Sequence, residues 1–448
     1  MGNETVAPFR INPFELIEGE VISAHVDMLK ATFTSAFPME ASMPQILEEA
    51  IYKCYEDKGW NIDTNENEKY GDEAFSGECD CFPIMSELLD ALKDVVASKN
   101  FGSELKSNYE GSLISRLSNL TVGSKGSMLN CPHSIDFTCL VKRNVILEME
   151  ELKSPEDKAL FMGFVLSRLS AVIKSEHKKN PEFKHLTLVE EAHRLLSKVE
   201  YGDSGSKKGA VETFTDLLAE VRKYGEGLIV VDQIPNKLAS EVLKNTNTKI
   251  IHKILAKDDK ETVGDTMLMD DKQKQYLSAL SVGEAIVFTE NTDKPVHVQI
   301  TPVSDTSEAE IEDQTVRKRF LENRKQFGTV YEDLEIMQDY RAFIDFMKCL
   351  KTALQKDAKA ELAEATDFAP VQKIKKCILK AAKRYEEDEY TIWKKMFYRF
   401  CKESGRMAAN QECAEEQVEQ MAEFFANRFY TENMDIRDSP YSIQMLLI

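Results

Sequence analysis

Two adjacent carboxylates, Glu190 and Glu191, close the short apolar run Leu186-Thr187-Leu188-Val189 and are followed by Ala192 and His193. Acids paired in this way suit one chemistry in particular. One can hold magnesium through its hydration shell while the other activates a water, as nucleotide hydrolysis requires. The apolar run reads as a strand buried on both faces, as in a parallel sheet. The carboxylates then sit at its carboxyl end, where open α/β sheets bind ligands. A second run, Leu228-Ile229-Val230-Val231, ends in Asp232-Gln233 and places Gln233 at another strand end. Arg222 comes just before that run, near the end of a helix expected over about 211–224 with Gly225 as its C-cap.

The elements that must carry these residues follow from periodicity. Residues 144–148 and 284–288 read as further strands, as does 249–254. Ser154-Pro155-Glu156-Asp157 starts a helix with an N-cap serine and a first-turn proline, and Phe161, Phe164, Leu166 and Leu169 continue it. Strands therefore alternate with helices, which gives an α/β class with a largely parallel sheet. Ahead of the sheet, helical stretches are expected from His25, from Met43-Pro44, after Phe82-Pro83 and over about 111–120. Residues 61–80 and 202–209 read as loops and Gly123 to Gly126 as a turn. The helical block thus forms an insertion at about 25–130. A polar linker over 304–315 separates residues 1–303 from an all-α tail, 316–448. In that tail Lys373, Lys375, Lys376, Lys380, Lys383 and Arg384 make a basic helix that reads as a solvated face.

Composition bounds the function. The 448 residues carry a formal charge of -20, which opposes a histone-like grip on nucleic acid but leaves room for a local basic channel. No apolar stretch approaches a membrane span and the first residues show no signal pattern, so a cytoplasmic protein with no membrane contact is expected. The nine cysteines are scattered; Cys79 and Cys81 lack further ligands at metal spacing and read as reduced and structural.

The order of the motifs resembles the HerA branch of the HerA/FtsK ATPases. Ile11-Asn12-Pro13-Phe14, His25-Val26-Asp27, Trp60, Glu190-Glu191-Ala192-His193, Arg222-Lys223-Tyr224-Gly225 and Asp232-Gln233-Ile234-Pro235 succeed one another as in that family, over about residues 8–303. The resemblance implies a RecA-like P-loop NTPase sheet, ATP and magnesium as cofactors, and a homo-oligomeric ring, in the family a hexamer, that moves or processes DNA. It makes Glu190 the Walker B acid that holds magnesium through water and Glu191 the base that orients the attacking water. Gln233 becomes the sensor of the γ-phosphate. Arg222 becomes the finger inserted into a neighbouring subunit's site, where a planar cation offsets charge spreading over phosphate oxygens. Each residue has a plainer reading. Arg222 could cap its own helix, Gln233 could satisfy backbone groups, and His25 and His193 read as structural histidines. Relatives often work beside a nuclease or other effector in DNA end processing or phage defence, so such a partner is expected too.

One departure stands out. The family requires Gly-x4-Gly-Lys-Ser/Thr on its first strand, and the 448 residues contain none. Gly123-Ser124-Lys125-Gly126 lacks the spacing, and Gly205-Ser206-Lys207 follows the paired glutamates, where family order forbids it. The fold expected is thus an incomplete RecA-like sheet, with a slot in its middle where the phosphate-loop strand belongs. A second polypeptide that supplies the P-loop, a truncated reading frame, and a degenerate relative that serves as a nucleotide-free scaffold all remain open.

Overall fold

A serine cap, a first-turn proline and two early acids start the longest helix of the chain, and three basic residues end it, so both ends agree with the helix dipole. This is the arrangement in a computed structural model that describes residues 2–328, apart from 4–5, 38, 40–41, 77–78, 80, 100–101, 103–105, 107–108, 201–202 and 303–310. Beyond these it describes 374–376, 378–379, 382, 388–398, 422–423 and 426–427. The chain divides into two compact units, Met1–Val330 and Tyr331–Ile448. The division lies beyond the 304–315 stretch read as a linker.

The first unit runs through helices α1 (Ile22–Ala36) and α2 (Met43–Asp57), a small antiparallel hairpin of β1 (Trp60–Asn61) and β2 (Glu66–Asn67), and α3 (Met85–Ser98). Short helices α4 (Ser115–Asn119), α5 (Gly123–Leu129) and α6 (Phe137–Leu140) lead to the long α7 (Pro155–Lys179). Then come β3 (His185–Glu190), α8 (Gly205–Glu220), β4 (Glu226–Val231), α9 (Ser240–Asn245) and β5 (Lys249–Ile251). Helices α10 (Lys257–Thr266) and α11 (Asp271–Tyr276), strands β6 (Glu284–Phe288) and β7 (Val296–Gln299), and α12 (Asp313–Asn323) complete it.

Several expectations need correction. Residues 144–148 form no strand, and Ile146 is 77% exposed. A short apolar run is a weak strand signal by itself, because strand formation depends on the packing context. The sheet is not largely parallel among the described residues. Strands β3 and β4 form one parallel pair, in register from His185 opposite Glu226 to Glu190 opposite Val231, whereas β5, β6 and β7 form a separate antiparallel sheet. Gly123 to Gly126 opens α5 rather than making a turn, and the 202–209 loop is helical from Gly205 because Ser204 caps α8 by accepting from the Lys207 N–H. Residues 61–80 hold part of the β1–β2 hairpin and a 3-10 turn, Gly71–Phe75.

Two cores support these sheets. Phe214 of α8, fully buried, and Met162 and Leu166 of α7 pack with Ala31 of α1 under the inner face of β3–β4, where Val189 and Val230 meet them. Gly163 permits this approach: a Cβ there would lie 2.6 Å from Thr32 Cγ2 of α1 and 3.1 Å from the Phe214 ring. The second core gathers Val263, Met267, Leu277, Leu280 and Ile286 beneath β5–β6. Asn236 links the halves: its N–H donates to Asp259 at 3.0 Å, its Nδ2 to Asp258 at 3.0 Å, and its Oδ1 accepts from Thr262 at 3.3 Å.

The Asn-Pro-Phe segment is fastened from several sides. Asn12 Nδ2 donates to the carbonyls of Pro83 and Pro132, its Oδ1 accepts from the Phe14 N–H, and its own N–H donates to Ser134. His25 lies 2.9 Å from both the Pro13 carbonyl and Glu20, a structural position as read from sequence. Nearby, Glu15 accepts from Arg168 at 3.0 Å and from the Ser134 N–H at 2.9 Å.

In the second unit the described residues other than Asp388 are helical, and Ile374, Ile378, Trp393, Met396 and Phe397 are buried. Of the basic helix, Lys375 and Lys376 are described and helical; Lys373, Lys380, Lys383 and Arg384 lie outside the described residues.

Candidate active site

Parallel pairing of β3 and β4 brings their carboxyl ends side by side, and the next residues extend the contact: the Glu191 N–H donates to the Val231 carbonyl at 3.0 Å. Side chains alternate across the sheet. Glu190 therefore shares a face with Leu186 and Leu188, and that face, unlike the inner one, is open. The central strand is thus not buried on both faces: Leu186 and Leu188 are 61% and 56% exposed, and Ile229 and Val231 beside them are 42% and 41% exposed. The apolar run implied two covered faces, but among the described residues helices cover one only.

Glu191 sits in the left-handed region, at φ 52 and ψ 40, a conformation that costs a residue with a side chain about 1–2 kcal/mol. Arg194 Nε donates to its carboxylate at 2.7 Å, and that hydrogen bond holds the Glu191 carboxyl below its ordinary pKa. The hydrogen bond thus favours the ionised form of the group. Asp232, at the end of β4, is buried, and its carboxylate accepts from the backbone N–H and the ring of His193. Gln233 follows it and is exposed at the same edge.

Arg222 is elsewhere. It lies in a 3-10 turn, Val221–Tyr224, that ends α8 ahead of β4, so the length of β4, on the order of 20 Å, separates it from Glu190. Gly225 makes the reversal possible with φ 85, and a Cβ there would meet the Phe183 carbonyl at 2.1 Å. Arg222 is exposed and donates to the Asn245 carbonyl at 3.3 Å, which ends α9 rather than its own helix. The structure thus brings Glu190, Glu191 and Gln233 together and leaves Arg222 on the opposite side of the sheet pair. Sequence reasoning gave Asp232 and Arg194 no role, although an acid ahead of Gln233 and an arginine three residues after Glu191 were both visible.

The fit of the implied cofactors is divided. Glu190 is exposed and suits magnesium held through water, since that ion commonly takes one or two carboxylates together with phosphate oxygens. No cluster of three or more His, Cys, Asp or Glu that could cage a metal occurs among the described residues. The triphosphate does not fit the lysines of the two glycine-rich stretches. Lys125 is engaged by Asp157 at 3.0 Å and Lys207 by Asp203 at 3.1 Å, and both glycine-rich stretches open helices without forming a phosphate nest.

No family model matches the chain. Over 120 residues it is 38% identical to the DNA double-strand break repair helicase HerA of Sulfolobus acidocaldarius, which covers 27% of this chain and 23% of that protein. A probable DNA double-strand break repair helicase HerA of Methanocaldococcus jannaschii is 28% identical over 184 residues, or 39% of this chain and 34% of its own. Over these stretches the chain is similar to HerA helicases. It spans about a quarter of the length of the HerA helicase first named and about a third of the second. Among solved structures, VirB4 of Thermoanaerobacter pseudethanolicus is 18% identical with a TM-score of 0.47, covering 67% of this chain and 75% of that one, a likeness too low to carry an argument. No described helix of the chain is long and apolar enough to cross a membrane.

Proposed function

We propose that this chain is the acid-bearing part of a HerA-like motor ATPase, in which Glu190 holds magnesium through water, Glu191 is the base and Gln233 senses the γ-phosphate. The P-loop comes from a segment outside these 448 residues, on the same or a second polypeptide. The completed protein forms a ring, as a hexamer, in which Arg222 reaches the neighbouring subunit's site and ATP hydrolysis drives movement or processing of DNA. A nuclease or other effector partner in end resection or phage defence belongs to the same reading, as does a cytoplasmic location.

One observation carries this reading: the β3–β4 pair gathers Glu190, Glu191 and Gln233 at one edge while its outer face stays bare and apolar. Strands β4 and β5 each keep an edge without a strand partner among the described residues. Such a sheet has room for one more strand and for a helix over its face. The position of Arg222, far from the acids of its own chain, supports a role in trans.

The test is ATP binding and turnover by the purified chain, alone and with the polypeptide encoded immediately upstream. Turnover is expected only in the mixture. Glu191→Gln should abolish it while nucleotide binding persists; unchanged turnover in that variant refutes the assigned base. No nucleotide binding in either preparation would instead favour the scaffold or truncated-fragment reading.

A further inference from the structure

Asp232 is the most buried acid at the edge, with a side chain 3% exposed, and both of its oxygens are taken by the protein. Oδ2 accepts from the His193 N–H at 3.0 Å and from His193 Nδ1 at 2.8 Å, while Oδ1 accepts from the Ile234 N–H at 2.9 Å. An ionised carboxylate only accepts, so His193 Nδ1 carries the hydrogen. These bonds reach in two directions. Through His193 they tie down the chain two residues beyond Glu191, whose left-handed backbone must be held by its surroundings to persist. Through Ile234 they close a turn around Gln233, which sits between the carboxylate and the amide it accepts from. The ring stays off the bare face and is only 17% exposed, so it is placed for holding rather than for meeting substrate.

We propose that Asp232 and His193 are positioning residues that fix Glu191 against Gln233, so that turnover requires the pair while nucleotide binding does not. The proposal rests on the reading of the acidic edge given above. It separates Asp232 from the metal-holding role that a strand-end acid would otherwise suggest, because its side chain is only 3% exposed and its oxygens already accept three hydrogen bonds within the protein. It also predicts which replacements succeed. An asparagine at 193 carries its amide nitrogen where histidine carries Nδ1, and can donate to Asp232 in the same way. A glutamine carries its amide nitrogen nearer the position of Nε2 and cannot. At 232 an asparagine must turn its NH2 toward either the His193 N–H or the Ile234 N–H, so one backbone donor always meets another donor.

The experiment uses the full chain with its upstream partner and measures kcat, KM and nucleotide binding for His193→Ala, His193→Asn, His193→Gln and Asp232→Asn, together with melting temperature. A misplaced base typically costs on the order of 10- to 100-fold in rate. That loss in kcat is expected for His193→Ala, His193→Gln and Asp232→Asn at unchanged nucleotide affinity, and His193→Asn should recover most of it. Normal kcat in His193→Ala, or recovery by glutamine as good as by asparagine, overturns the proposal. If Asp232→Asn fails to fold, the asparagine and glutamine pair at 193 still decides. No turnover by the unmodified chain once it is completed with a P-loop segment, whether fused or separate, refutes the motor reading itself and takes the proposal with it, whereas a working protein indifferent to His193 refutes the positioning role alone.

Discussion

Leu188→Glu tests the bare face directly. In the chain alone Leu188 is 56% exposed, so a glutamate there meets water and the unfolding free energy should change by no more than about 0.5 kcal/mol. In the completed protein the expectation reverses. Leu186, Leu188, Ile229 and Val231 are 61%, 56%, 42% and 41% exposed, about half of each side chain. Full burial of such a side chain contributes roughly 1.5–3 kcal/mol, so covering four halves contributes about 3–6 kcal/mol to docking of the P-loop segment. The substitution removes about a quarter of that and adds a carboxylate that must be desolvated with no partner, at a further cost of several kcal/mol. Association should weaken at least 100-fold, each factor of ten being about 1.4 kcal/mol. Leu188→Ala, which loses only the apolar part, should weaken it about tenfold or less. Calorimetric titration of the chain with the upstream polypeptide reads both, and urea unfolding of the chain alone gives the control. Leu188→Glu binding as tightly as the unmodified chain would refute the reasoning, as would a loss of more than about 1 kcal/mol from the chain by itself, since the face would then already be covered.

The acidic edge and the amino-terminal segment give further expectations. Because the Arg194 hydrogen bond holds the Glu191 carboxyl below its ordinary value, Glu191 stays ionised to lower pH than a lone glutamate would; Arg194→Gln should therefore move the acid limb of the turnover profile of the completed protein to higher pH, as a pH–rate series will show. Burial alone would raise the carboxyl of Glu15, but Arg168 and His133 outweigh it and leave the group lowered. Its folded pKa is thus below its unfolded one, so its contribution is present above the ordinary value of 4.5 and is lost as pH falls through the folded value. Glu15→Gln leaves Arg168 largely buried without its counter-charge and should cost roughly 3–5 kcal/mol in urea unfolding at neutral pH, with a flatter stability profile on the acid side.

Much of the site was legible because its signals are local. An apolar run ending in acids marks a strand end, and both runs fold as strands whose ends bear Glu190 and Gln233. Ser154-Pro155 marked the start of α7 and Gly225 the C-cap before β4, since caps depend on single residues. What was not legible depends on partners distant in sequence. Apolar runs at 144–148 and at 186–189 gave a strand only at the second, which pairs with β4. The openness of the Leu186 and Leu188 face could not be read from two apolar residues that would look identical under a helix. Asp232 was visible only as an acid, because its role comes from His193, 39 residues earlier. Strand β7 was missed: its residues are largely exposed, so it carries little apolar signal.

Asn236 has a consequence for how the chain comes apart. The core under β3–β4 and the core under β5–β6 belong to separate ladders, and the hydrogen bonds of Asn236 to Asp258, Asp259 and Thr262 help to bridge them. Two cores so joined need not melt as one cooperative block; each can open at its own free energy, as amide hydrogen exchange would register in two groups of protection. A strand seated between β4 and β5 would merge the ladders and raise the weaker group toward the stronger. Unfolding cooperativity would then depend on a strand that joins two ladders rather than on either core alone.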